Sequence, residues 1–327
     1  MHSLAAQARH RAWLPVVSGS LFVILGVSGC SMFTPASQHS TTLPSGSTSG
    51  SAPSSPTPSP SPTPKVCAKN APGFPCTMRN RIKEIRRYMR QLPGSIGIVI
   101  HNRENGATWH NANADVSYPA ASTMKLAMMT DILQRSDAGR IDLTSADRQA
   151  MFEALYTSND DDANYLWNKY EDGSFLNRIR AFGMNDARFT SSVPNWGFMY
   201  CTARDLDNLI NYVLKHAPAN VRSYLVYRLQ HVAALDQQWG VWGAGPQNHP
   251  GNKDGWEQDG NIWITNTVGF AGPDQQYTMA IMYNLGGFRG VGDAGFKYGS
   301  NKLTQIASIL FQGHHTTAPT PQASAVP

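Results

Sequence analysis

The chain has 327 residues and a formal net charge of +5, of which Arg9 and Arg11 supply two. So mild an excess excludes charge-driven nucleic-acid binding, and the ten scattered histidines and four cysteines show no metal-ligand spacing. No nucleic-acid partner, metal or cofactor is therefore expected.

At the N-terminus, Arg9, His10 and Arg11 form a short basic region. The apolar run that follows, Trp13 to Val27, is too short and too soon interrupted for a stable membrane span. It ends in Val27-Ser28-Gly29-Cys30, small residues before a cysteine, which looks like a lipobox. Cleavage there removes a signal peptide, residues 1–29, and leaves Cys30 as the site of lipidation. Acyl chains at ~0.8 kcal/mol per buried methylene then hold the protein on the extracytoplasmic face of the cell membrane.

Residues 30–65 shift to Ser, Thr, Pro and Gly and close on an alternating proline run, with Phe33 the only aromatic. Such a stretch reads as an extended, semi-stiff tether. Residues 313–327 are Ala/Thr/Pro-rich and read as a disordered tail. The folded part is expected over residues 66–312, ample for one sizeable core or two packed lobes. A bridge between Cys67 and Cys76 is expected to clip the domain entrance, which leaves Cys201 as a small buried residue.

Ile82, Ile85, Tyr88 and Leu92 recur at helical spacing, predicting an amphipathic helix from Thr77 to Leu92. Its Arg79, Arg81, Lys83, Arg86, Arg87 and Arg90 make a solvated basic face, or one drawn to anionic headgroups or wall polymers. A β-rich run from Ser95 to His101, a turn at Asn105-Gly106 and a short strand at Thr108–His110 predict a hairpin. A helix opens at Ser122 and runs to about Arg135, and residues 145–235 are nearly all helical in pattern. Three strands return near 252–256, 262–270 and 277–283, and a helix from Tyr298 to Leu310 closes the domain. The order predicts an α+β fold: a five-stranded, mainly antiparallel sheet flanked by N- and C-terminal helices, with an inserted all-helical lobe. The α/β lobe would take residues 66–121 and 236–312 and the helical lobe 122–235, with a cleft between them.

Three short segments carry chemistry. Ser122-Thr-Met-Lys125 puts a serine and a lysine one turn apart at a helix start, where the helix dipole favours developing negative charge. Ser158-Asn159-Asp160 and Lys253-Asp254-Gly255 follow in chain order. Together with Gln238-Trp-Gly-Val241, Asn266-Thr-Val-Gly269 and Thr202-Ala-Arg-Asp205, these resemble the motifs of the serine β-lactamase and penicillin-binding superfamily, nearest to its LppW-type lipoproteins. The resemblance implies Ser122 as acylated nucleophile, Lys125 as its base and Ser158 as proton relay to the leaving nitrogen. It implies that Lys253 polarises Ser158 and attracts a substrate carboxylate. Asp160, Asp254, Gly255 and Trp256 would face substrate, with the backbone N–H groups of Ser122 and Trp256 forming an oxyanion hole.

Two departures bear on activity. Asp160 stands where the family has an amide donor, and it can pair with Lys125 or Lys253 and blunt the base. Asp254 replaces a threonine and brings negative charge toward the substrate carboxylate unless it turns away. The acid that class A β-lactamases use to activate deacylating water has no counterpart between Gly183 and Cys201, so efficient β-lactam hydrolysis is not expected. Two readings follow: a serine hydrolase acting on cell-wall peptides or related acyl compounds, or an impaired relative that binds wall fragments or a protein partner. A Lys125–Asp160 ion pair would favour the second; Lys125 on Ser122 and Ser158, with Asp160 turned away, would favour the first.

Overall fold

The computed structural model describes residues 66–313, apart from 287 and 289–292. The expected signal peptide, the Cys30 lipidation site, the tether up to residue 65 and the tail from 314 onward lie outside the described residues. Among the described residues, no helix is long and apolar enough to cross a membrane.

Cys67 and Cys76 are joined in a disulfide, their Cα atoms 5.1 Å apart, and α1 (Cys76–Met89) starts at the bridge. Met78, Ile82 and Ile85 form its buried stripe, while Lys83, Arg86, Arg87 and Arg90 are exposed. The helix stops short of Leu92 because Pro93 and the left-handed Gly94 turn the chain into the sheet.

Next come β1 (Ser95–Asn102), β2 (Ala107–His110), β3 (Tyr118–Pro119) and a 3-10 turn, Ala121–Thr123, that runs into α2 (Met124–Asp137). The inserted lobe holds α3 (Ser145–Tyr156), α4 (Asp160–Tyr170), α5 (Phe175–Arg180), β4 (Arg188–Phe189), β5 (Met199–Cys201), α6 (Ala203–Lys215), α7 (Ala219–Gln230) and α8 (Ala234–Gln237). The chain then returns through β6 (Gly251–Asp259), β7 (Ile262–Ala271) and β8 (Tyr277–Asn284) to α9 (Ala294–Phe311). The main sheet has five strands in the order β2-β1-β8-β7-β6, every neighbouring pair antiparallel.

One expectation is corrected. Residues 181–202 hold no α-helix: β5 pairs with β3 on one side and β4 on the other in a small three-stranded sheet, with a 3-10 turn at Trp196–Phe198. Strands of two or three residues are too short to leave a periodic signal.

Strand alternation divides the core in two. Ile96, Ile98, Ile100, Met279, Ile281 and Tyr283 pack with α1 and α9 on one face. Val99, Val268, Phe270, Ala280 and Met282 pack on the other with α2 and α6. Both faces of the sheet are therefore covered, and β6 is left as the edge strand facing the inserted helices. Cys201 is free and fully buried, its thiol pushed up by burial.

Candidate active site

The Ser122 turn is built against the sheet. Ser122 is the middle residue of the 3-10 turn, half-buried, and its neighbour Ala121 holds a left-handed φ of +49°, a conformation costing about 1–2 kcal/mol for an L-residue. Thr123 Oγ1 donates to Ala120 O at 2.6 Å. From β7, Asn266 Nδ2 donates to Pro119 O at 2.8 Å and to Ala120 O at 3.2 Å. Strand β6 lies so close that a Cβ on Gly255 would sit 2.8 Å from Ser122 N and 2.7 Å from Thr123 N. Only glycine fits there.

Beneath this turn the two lysines meet at one serine. Lys125 is fully buried, and its Nζ donates to Ser158 O at 2.5 Å, to Ser158 Oγ at 3.2 Å and to Asp160 Oδ1 at 2.5 Å. Lys253, also fully buried, donates to Ser158 Oγ at 2.9 Å, Gln237 Oε1 at 2.8 Å and Asp254 O at 2.8 Å. Ser158 reaches both because its φ is +65°, which turns its carbonyl and its hydroxyl toward Lys125 together. Trp196, from the turn before β5, lies under Lys125 with the ammonium 4.6 Å from its ring centre, and its indole N–H donates to Asn164 Oδ1 at 3.0 Å.

Burial lowers both amines, but the nearest charge opposes it at Lys125 and adds to it at Lys253. Burial holds Lys125 below the ordinary lysine range, and Asp160, then Asp162, work against it. Burial, then the charge of Lys125, holds Lys253 well below that range. The Asp160 side chain is 70% exposed, so its hold on Lys125 is screened by water. Among the described residues, no hydrogen bond joins Ser122 Oγ to Lys125.

Alternation along β6 sorts the third motif. Lys253 and Gly255 face the helices; Asp254 and Trp256 face α9. Asp254 is therefore corrected as a substrate-facing residue. Its carboxyl is fully buried, and burial pushes it well above the carboxylate range against the opposing pull of Thr267 and Lys253. The Trp256 ring likewise packs away from the cleft, 4.8 Å from Phe296 and 6.3 Å from Trp239, centre to centre. Its backbone is what reaches the site. Asp254 N–H donates to Gln237 Oε1 at 3.2 Å rather than into β7, and the alternation of an antiparallel ladder sends Trp256 N–H out at the same edge, beside the Ser122 turn. Lys253 Nζ is surrounded by three protein acceptors, Ser158 Oγ, Gln237 Oε1 and Asp254 O, and its link toward the Ser122 turn runs through Ser158.

Gln237, Trp196 and Glu257 stand at or beside the site without having been singled out from the sequence, whereas Asn266 opens the Asn266-Thr-Val-Gly269 segment already noted there. Glu257 lies two residues past Gly255 on the same face, beside a pocket of about 420 Å³ also lined by Pro119, Phe198 and Tyr200. Burial, then Asp259, pushes its carboxyl up to about 7. Gln237 and Trp196 each reach a lysine in a distant segment, and no local pattern announces such contacts.

Residues 80–151, which carry Ser122 and Lys125, match the model of the β-lactamase enzyme family. A β-lactamase from Xanthomonas campestris superposes with a TM-score of 0.59 at 14% identity, covering 72% of this chain and 98% of that one. The fold is that of the serine β-lactamase and penicillin-binding superfamily. Within that superfamily, a β-lactamase from Sphaerobacter thermophilus gives a TM-score of 0.54 at 18% identity, covering 70% and 95% of the two chains. A PBP-A variant, an acyl-enzyme complex with penicillin G, gives 0.56 at 15% identity, covering 71% and 95%. No curated protein matches the sequence. The five-stranded sheet and the helical lobe are thus shared with these structures, and in this chain the Ser122 turn lies against Gly255 of β6 while Lys253, two residues earlier, donates to Ser158.

Proposed function

We propose that the protein is a slow serine acyl-enzyme, held on the extracytoplasmic face of the membrane through Cys30, that forms a Ser122 ester with cell-wall peptides or related acyl compounds. The observation that carries this reading is the Lys253–Ser158–Lys125 hydrogen-bond chain beneath the Ser122 turn. Ser122 Oγ attacks the substrate carbonyl and gives its proton to the neutral Lys125 amine. The tetrahedral oxyanion rests between the N–H groups of Ser122 and Trp256. Lys125 returns the proton through Ser158 to the leaving nitrogen, whose bond to carbon breaks, and the ester remains on Ser122. The superfamily fold supports this, as does the acyl-enzyme state of the similar PBP-A variant.

Turnover of the ester is the weak step. The segment between Gly183 and Cys201 sets the Trp196 ring against Lys125 in place of a carboxylate that could activate water. Intact-mass analysis of the purified chain after incubation with a penicillin, and separately with a fluorophosphonate, is expected to show a persistent adduct on the wild type and none on Ser122→Ala. Absence of any adduct on folded wild type would overturn the acyl-enzyme reading.

Two observations favour the second reading by the criterion drawn from the sequence: Lys125 pairs with Asp160, and among the described residues it makes no hydrogen bond to Ser122 Oγ. The Lys125–Asp160 pair at 2.5 Å favours the charged amine, and a charged Lys125 cannot accept the serine proton. On that reading the cleft binds wall fragments or a protein partner without turnover. The anchor has its own test: metabolic labelling with an alkyne fatty acid is expected to mark the wild type and leave Cys30→Ala unlabelled and released from membranes. Labelling that survives in Cys30→Ala would place the lipid elsewhere.

A further inference from the structure

A pocket of about 760 Å³ lies at the opposite edge of the sheet from Ser122, between the β1–β2 turn, the loop after α5 and one face of α6. Helix α6 gives it Asn208, Asn211, Tyr212 and Lys215, positions three and four apart that share a face. The end of β1 and the turn after it add His101 and Arg103. No Asp or Glu lines it.

Its cations are not cancelled. Arg103 donates only to neutral carbonyl oxygens, those of Asp274, Gln275 and Leu214 at 3.1, 2.7 and 3.2 Å, which fix the guanidinium without neutralising it. Lys215 is exposed and, among the described residues, has neither a hydrogen bond nor an ion pair. His101 turns Nδ1 to Thr108 Oγ1 at 2.9 Å, which leaves Nε2 free. Burial, then the charges of Arg103 and Lys215, lowers the His101 imidazole, so His101 serves as a neutral hydrogen-bonding group beside two cations. Two aromatic rings add an apolar face, Phe182 and Tyr212, 4.6 Å apart centre to centre, with His216 beside Tyr212.

Unpaired cations in a concavity concentrate an anion, and a volume of this size holds far more than a single oxyanion. We propose that this pocket binds a small organic anion, a planar ring bearing a phosphate or carboxylate. The charged group lies among Lys215, Arg103 and His101, and the ring lies against Tyr212. Nothing in this depends on acylation at Ser122, so the two readings stand or fall separately.

The test is isothermal titration of the purified chain with phenyl phosphate, inorganic phosphate and phosphatidylglycerol vesicles. Saturable binding of phenyl phosphate is expected, at least about tenfold tighter than inorganic phosphate, with at least a tenfold loss in Lys215→Gln and retention in Lys215→Arg. Lys215 is exposed, so both variants are expected to keep the wild-type melting temperature, and that scan separates lost binding from lost fold. No saturable binding of phenyl phosphate at millimolar concentration would overturn the proposal, as would full binding by Lys215→Gln. Equal affinity for inorganic phosphate would remove the ring from it, and binding of vesicles alone would make the pocket a lipid-headgroup site instead.

Discussion

Replacing Asp160 with asparagine is expected to speed acylation of Ser122 by at least about tenfold at neutral pH, because one unit of Lys125 pKa is a factor of ten in free amine. Lys125 accepts a proton only when neutral. Burial favours that state, and the Asp160 carboxylate, 2.5 Å from Nζ, favours the charged one. An asparagine keeps an oxygen acceptor at the same place and removes the charge. The sign in pH follows. Acylation rises with pH as Lys125 loses its proton, and lowering the pKa of that amine moves the rise to lower pH. The exposure of Asp160 screens the pair, which is why the expected gain is set at one order of magnitude rather than several.

Rates of adduct formation with a penicillin, followed by intact mass across pH for both proteins, check this. If the wild type forms no adduct and Asp160→Asn forms one, Asp160 is what separates binding from turnover. If the variant acylates no faster and its pH profile does not move, Lys125 is not the base. The second outcome would leave the hydrogen-bond chain through Ser158 as structural support for the turn.

Much of this site was legible in the sequence because its backbone is. Ser122 and Lys125 lie three residues apart at a helix start, and that spacing alone puts both at the head of α2, although the Lys125 amine turns to Ser158 and Asp160. The long strands were legible too, since Ser95–His101 and Ile262–Phe270 are runs that the sheet buries on both faces. The side to which each residue of β6 points was only half readable. Alternation says that Asp254 opposes Lys253 and Gly255, but it does not say which face is the cleft. That answer depends on where α4 and α9 pack, and it turned Asp254 from a ligand contact into a buried acid. Trp196 and Gln237 were invisible for a related reason. Each acts on a lysine from a distant segment, and the segment carrying Trp196 holds strands too short to show a period.

Gly255→Ala is expected to slow Ser122 acylation about 10²–10³-fold, the loss that follows when one oxyanion donor is taken away. The added methyl would meet Ser122 N, Thr123 N and Ala120 O at 2.8, 2.7 and 3.3 Å, and all three are backbone atoms. The turn cannot simply give way, because Asn266 holds it from β7 and the Thr123 hydroxyl braces it internally on Ala120 O. What moves is the edge strand, and Trp256 N–H moves with it. A displacement near 1 Å is enough to cost about 10² in rate, while overpacking of this kind costs about 1–3 kcal/mol in stability. The expected signature is therefore a folded protein with a modestly lower melting temperature and a disproportionate loss of acylation. Its pH profile is expected to keep the wild-type shape, since neither Lys125 nor Asp160 is touched. An alanine variant that acylates at the wild-type rate would mean that the oxyanion is held away from the Ser122–β6 contact. The closeness of Gly255 to the nucleophile would then be a matter of packing alone.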